Sequence, residues 1–417
     1  MPVMNYILAV YIVVYLVNTV LSLVIDRLNL KHLETYGKKV PSNFEGIIDE
    51  QELITINRYT VDKLRFTLFQ TGFHRLFFLF IIFSGILPWL AESLSRTNDL
   101  WAGLIFFAAL GLLLYTAALP FDYYHSFVIE ARYGFNTKTL GTWLQDLVKS
   151  LLLTAILGTL LLLALLSMIK YAGPTWWIWA WAFVLGFQFV MAILYPTIIA
   201  PLFNTFTPLD DAELKTGIEN LASGQSLSID GIYQMDATRR TRHTNAYFSG
   251  LGKAKRIVLY DTLIQSHAVD EIIAVLAHEV GHLKKNHIKK QLALTGIISL
   301  FLFFLASKLL THAALFESFG FSSMPHYAGL FLAGVIWEPV GFWLAPLGMA
   351  VSRKFEREAD YFSLKILNTP KPLAAALKKM ARDNLANLQP HPLYVWFNYS
   401  HPPLVERINY LEGFDLH

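Results

Sequence analysis

Two histidines four residues apart, with a glutamate directly after the first, stand out as residues whose types and spacing suit a chemical reaction. On a helix, positions four apart share a face one turn apart, so His278-Glu279-Val280-Gly281-His282 presents two imidazole nitrogens to a single metal ion. That is half of a tetrahedral site. Glu279 stands beside the open position, where it can take a proton from a bound water whose pKa zinc lowers to roughly 7. The implied chemistry is hydrolysis. With no cysteine in the chain, thiolate ligands, thiol nucleophiles and disulfides are excluded, and the remaining protein ligand must be His, Asp or Glu. Gly281 costs about 1 kcal/mol against Ala inside a helix, so its place in the motif implies that another element approaches closely there.

A second acidic segment, Phe355-Glu356-Arg357-Glu358-Ala359-Asp360, can supply the third ligand. On a helix Glu356 and Asp360 share a face, whereas Glu358 sits about 200° round from Glu356 and points elsewhere. One of the two can ligate while the other orients a ligand histidine through its free ring N–H. Periodicity alone leaves open which does which.

The elements that must carry these residues are set by an apolar composition. The 417 residues are 54% hydrophobic and 16% charged, with a mean hydropathy of +0.43, which is not the balance of a soluble protein. Seven stretches are long enough to cross the roughly 30 Å hydrocarbon core as helices. They are 4–25, 66–90, 100–120, 151–169, 176–200, 292–310 and 328–350. The first has no basic leader or small-residue cleavage site and reads as a retained anchor. Trp176, Trp177, Trp179 and Trp181 crowd the start of the fifth, as an interfacial belt would. Net charge is only +3 and no basic, aromatic-interleaved patch exists, so nothing suggests a nucleic-acid partner.

Lysine and arginine divide unevenly between the two sides of this threading. The first, third and fifth loops and the C-terminal tail carry 7, 3, 11 and 9, whereas the alternate loops carry only Arg96, Lys170 and Lys308. The expected orientation therefore has the N-terminus outside and the C-terminus in the cytosol. Two polar segments fall on the cytosolic side and can meet as one domain. The expected division is 1–201 for spans one to five, 202–291 for the first part of that domain, 292–350 for spans six and seven, and 351–417 for its completion. Within the first part, 231–235 and 256–260 read as short strands, 245–248 as a third, and a helix from Val269 runs through the motif to Lys290 into the sixth span.

Beyond the motif, three further blocks extend the pattern: Arg242-His243-Thr244-Asn245-Ala246-Tyr247-Phe248-Ser249-Gly250, the acidic segment, and Ser400-His401-Pro402-Pro403 with Glu406-Arg407-Ile408. The motif itself continues into Asn286 and His287. With these blocks and its seven spans, the chain resembles the type I CAAX prenyl proteases, integral membrane gluzincins, over nearly its whole length. The resemblance implies a mainly α-helical membrane protein, with seven spans around a water-filled intramembrane chamber and a cytosolic α+β zinc protease domain. It selects His278, His282 and Glu356 as ligands of one zinc ion, Glu279 as general base, and Asp360 as the residue that orients a ligand. It further implies that Asn245, Ala246 and Tyr247 form an edge strand along which an extended peptide lies. His401 is then expected to donate to the oxyanion, and Arg407 to neutralise or orient a site carboxylate. The implied partners are a prenylated or other peptide and the surrounding lipid. The membrane would be that of the endoplasmic reticulum or a bacterial interior, and nothing sets the oligomeric state. Polar residues inside spans, Glu338 in the seventh and His74 with Arg75 in the second, either line the chamber or pair within the bundle.

Two other readings compete. A broad-specificity quality-control protease would use the same site. A silent seven-helix protein with a structural zinc would close the fourth position with a protein ligand, and would have no use for Glu279.

Overall fold

Apolar stretches of this length have no water with which to pair their backbone groups, so they close them internally as helices. The computed structural model describes residues 5–249 and 255–414. Met4 of the first expected span, Gly250 at the end of its sequence block and the last three residues lie outside them. Among the described residues seven helices are long and apolar enough to cross a membrane: Tyr6–Tyr36, Glu50–Phe83, Asp99–Glu130, Leu140–Tyr171, Gly173–Phe203, His287–Leu309 and His326–Leu367. Each expected span is found, and most helices run on past the apolar window. The second span is a correction: Gly85, at φ +80°, ends it, and 86–90 belong to a separate short helix, Ile86–Ser93. A left-handed glycine is a natural stop for a helix.

The third to seventh spans touch in a closed circuit, third to fourth and so on round from the seventh to the third, and the first packs on the second and seventh. Polar side chains join spans across the bundle. Asn18, fully buried, donates to the Pro339 carbonyl at 2.7 Å, and Trp181 donates to the Gly296 carbonyl at 2.8 Å. Glu338 is paired with Arg75, whose backbone carbonyl accepts from Tyr15 at 3.0 Å. The His74 ring lies against Phe121.

The polar segments form one lobe. Its sheet has the order β1-β2-β4-β3, from strands β1 (Phe206–Pro208), β2 (Gly231–Met235), β3 (Ala246–Ser249) and β4 (Arg256–Tyr260). β2 and β4 run parallel, and β1 and β3 pair antiparallel at the two edges. The expected strands are present; β1, three residues long, gave no pattern to read. One core holds Leu214, Ile218, Leu259, Leu276, Leu377 and Ile408, drawn from both polar segments. It also takes in Phe44, Ile48, Leu53 and Ile56 from the first loop and the start of the second span, so that loop is part of the lobe's packing.

The expected helix from Val269 to Lys290 is broken. The motif helix ends at Lys284, Asn286 adopts a left-handed conformation at φ +56°, and the sixth span starts afresh at His287. Asparagine is one of the few residues that enter this region cheaply. In contrast, the seventh span continues without interruption through the acidic segment, as one helix of 42 residues.

Candidate metal centre

The motif helix, Val269–Lys284, and the C-terminal part of the seventh-span helix pack face to face. Gly281 permits it: a Cβ there would lie 3.0 Å from the Ala359 Cα and 3.2 Å from its carbonyl oxygen. One turn further along, Ser363 donates to the Ala274 carbonyl at 2.9 Å, a buried bond that fixes the register. The close approach expected from the glycine is therefore with the acidic segment itself.

That contact brings His278, His282 and Glu356 together. Nε2 of His278 lies 3.2 Å from Nε2 of His282 and 3.4 Å from Oε2 of Glu356, and Nε2 of His282 lies 3.3 Å from Oε1 of Glu356. A tetrahedral ion with bonds of about 2.0–2.1 Å has ligands about 3.3–3.4 Å apart, so the three atoms match one face of that polyhedron. Oε2 of Glu356 is buried without a hydrogen-bond partner, a costly state that an ion would relieve. Charge leads to the same conclusion. With the imidazoles neutral, as metal ligands must be, Glu279, Glu356 and Asp360 bring three formal negative charges and Arg407 one positive, leaving an excess of two that a divalent cation cancels.

Asp360 is fully buried and holds two partners at once. Its Oδ1 lies 2.8 Å from Nδ1 of His278 and accepts from Nη2 of Arg407 at 2.6 Å, while Oδ2 accepts from the Arg407 Nε at 2.9 Å. A proton on Nδ1 leaves the His278 Nε2 lone pair facing the other ligand atoms. Burial by itself would lower the His278 pKa, but hydrogen bonds to Asp360 and Glu356 outweigh it and push it up to about 9. The pocket attracts positive charge.

Glu279, beside this cluster, has its carboxyl raised above the usual value by burial, with Glu356 adding to the rise and His278 and His282 opposing it. A raised carboxylate is a stronger proton acceptor. His401 reaches in from the loop before helix Leu404–Glu412, with Nε2 3.3 Å from Oε1 of Glu356, and its side chain stays 60% exposed toward the cleft. Arg407, from that helix, is buried against Asp360, with Nη1 4.0 Å from Glu356.

Ala246 and Tyr247 lie in β3, at the edge of the sheet and against the motif helix; Asn245 immediately precedes them, its carbonyl accepting from the Tyr260 N–H at 3.1 Å. Two features of this surrounding fall within the sequence blocks but carry no assigned role there. The loop before β3 is held by His243, whose ring stacks on Phe135 and whose nitrogens lie 3.0 Å from Asn384 and 3.1 Å from Glu130. Behind His282 stand His287 and Glu358. His287, quoted with the motif, follows its left-handed asparagine, and periodicity from the motif helix does not place it against His282.

Residues 29–205 match the family description "CAAX prenyl protease N-terminal, five membrane helices", and residues 208–415 match "Peptidase family M48". A CAAX prenyl protease 1 homolog from Arabidopsis thaliana is 36% identical, covering 99% of this chain and 98% of that protein. CAAX prenyl protease 1 of Saccharomyces cerevisiae is 35% identical, covering 90% and 88%. The crystal structure of S. mikatae Ste24p superposes with a TM-score of 0.92 at 28% identity, over 99% of this chain and all of that one.

Proposed function

Since the chain belongs to the CAAX prenyl proteases of peptidase family M48 and is a multi-pass membrane metalloprotease, we propose that it hydrolyses peptide bonds near the C-terminus of prenylated CAAX proteins, with zinc as its metal. The observation that carries the site is the spacing of three ligand atoms at 3.2–3.4 Å, supplied by His278, His282 and Glu356. Two imidazoles and a carboxylate on a tetrahedral face favour zinc over the oxygen-seeking cations.

When bound, zinc supplies Lewis acidity, making water a usable nucleophile near neutral pH and polarising a carbonyl. Glu279 takes a proton from the attacking water and delivers it to the departing amine. His401, exposed to the cleft within reach of Glu356, donates to the oxyanion as it develops. Arg407 works at one remove: it holds Asp360, which fixes the tautomer of His278. The open side of β3 offers backbone groups of Asn245, Ala246 and Tyr247 to an extended peptide, a mode indifferent to side-chain sequence. Selectivity then comes from the lipid. A scissile bond next to an isoprenoid stays near the bilayer, where the seven spans hold the enzyme.

The lysine and arginine distribution supports a cytosolic protease lobe, built from 202–291 and 351–417, with the N-terminus on the far side. The eukaryotic sources of the relatives above support the endoplasmic reticulum over a bacterial inner membrane.

The test is hydrolysis of a fluorogenic farnesylated CAAX peptide and its non-lipidated twin by purified wild type and Glu279→Gln, with zinc quantified in both. The expected result is chelator-sensitive cleavage that favours the lipidated peptide, and a variant that retains zinc but is slower by about 10³-fold. Equal cleavage of both peptides moves the reading to a broad-specificity protease. Zinc bound one to one without any cleavage replaces it with a silent scaffold.

A further inference from the structure

The break at Asn286 does more than separate two helices. In an uninterrupted helix position 287 would lie about 140° round from position 282, out of reach of its side chain. The left-handed residue instead folds His287 back under the motif, with its Nδ1 3.0 Å from Nδ1 of His282 and its Nε2 3.0 Å from Oε2 of Glu358. His287 is 2% exposed, and its ring lies flat on Phe355, at 4.2 Å and 7°.

Two imidazoles that meet nitrogen to nitrogen must share one proton, one donating and the other accepting. Glu358 decides the direction. As a carboxylate it only accepts, so the His287 proton sits on Nε2 and its Nδ1 presents a lone pair. His282 must then carry its own proton on Nδ1, which leaves Nε2 unprotonated. That Nε2 is the atom 3.3 Å from Glu356 and 3.2 Å from His278.

We propose that Glu358 and His287 form a relay that fixes the tautomer and orientation of His282 for metal binding, as Asp360 does directly for His278. The inference rests on His278, His282 and Glu356 being the metal ligands. His287 is a positioning residue: it touches a ligand, not the ion or the peptide. The two ligands thus differ in kind, one backed by a carboxylate and the other by a carboxylate acting through a second ring.

The measurement is zinc affinity of the purified full-length protein by competition with a chromophoric chelator. His287→Phe keeps the stack on Phe355 but removes both nitrogens, and its zinc Kd is expected to weaken by about 10–100-fold. His287→Asn, whose side-chain oxygen can stand where Nδ1 accepts, should recover most of that loss. Glu358→Leu leaves the His287 ring in place and should weaken zinc binding about tenfold, and it serves if the phenylalanine variant does not fold. Thermal stability of the zinc-free proteins should be alike. Wild-type affinity in His287→Phe or Glu358→Leu, or an asparagine variant as weak as the phenylalanine one, overturns the relay. A His282→Ala protein that keeps wild-type zinc affinity would instead overturn the ligand assignment on which the relay rests.

Discussion

The two halves of the molecule use polar side chains to different ends. In the bundle, Asn18, Trp181, Tyr15 and the Arg75–Glu338 pair each reach from one span to another as separate contacts at separate places, with Asn18 Oδ1 and Glu338 Oε2 left without a partner. In the lobe built from the two polar segments, His278, His282, Glu356, Asp360 and Arg407 converge on one point, and carboxylates outnumber the one arginine there. Scattered single contacts hold spans together. An open, converging set marks the place where an ion and a substrate belong.

Four substitutions test this contrast. The largest effect is expected from Glu356→Ala, which removes one corner of the open set: zinc content after dialysis should fall to near zero, and hydrolysis with it, while helicity by circular dichroism stays unchanged. His401→Ala should leave zinc in place and lower kcat by roughly 10²-fold, the scale of a lost oxyanion donor; full activity would remove His401 from the chemistry. Gly281→Ala comes next. Helix propensity gains about 1 kcal/mol, but the new methyl meets the backbone at Ala359, so the two helices must separate by a few tenths of an ångström. Activity should drop about tenfold with little change in Tm. The smallest effect on turnover should come from the bundle. Arg75→Met leaves Glu338 unpaired and should cost about 1–2 kcal/mol, because both side chains are partly exposed, with kcat on a short peptide unaltered. The double variant with Glu338→Met should recover most of that loss. A large drop in kcat in either protein would mean that the pair belongs to the reaction.

Much of this arrangement is legible in the sequence because it follows from periodicity. Residues four apart on a helix put His278 with His282 and Glu356 with Asp360, and turned Glu358 away from both. The glycine in the motif announced a close neighbour, and the neighbour is Ala359. Which acid ligates is not a periodic property. It depends on how two helices meet, and only the resemblance pointed to Glu356. The same limit hid the role of His287, because a single left-handed residue reverses the direction that a helical pattern projects. It also hid the packing of Phe44 and Ile48, since hydropathy records that a loop residue is apolar but not what lies beneath it. Span ends were misplaced for a related reason: an apolar window measures the lipid, whereas the helix continues until its capping groups stop it, as at Gly85.

The helix His326–Leu367 crosses the bilayer and carries Glu356 and Asp360 on the same rod. It is a lever. Glu356 stands ten residues beyond Pro346, roughly 15 Å at 1.5 Å per residue, so a tilt of about 2° about that proline moves the carboxylate by about 0.5 Å, the tolerance of a catalytic geometry. Bilayers of different thickness set different tilts. A bilayer that tilted this rod would therefore shift Glu356 and Asp360, and the Asn18 bond to the carbonyl of Pro339, which ties the rod to the first span, would resist it.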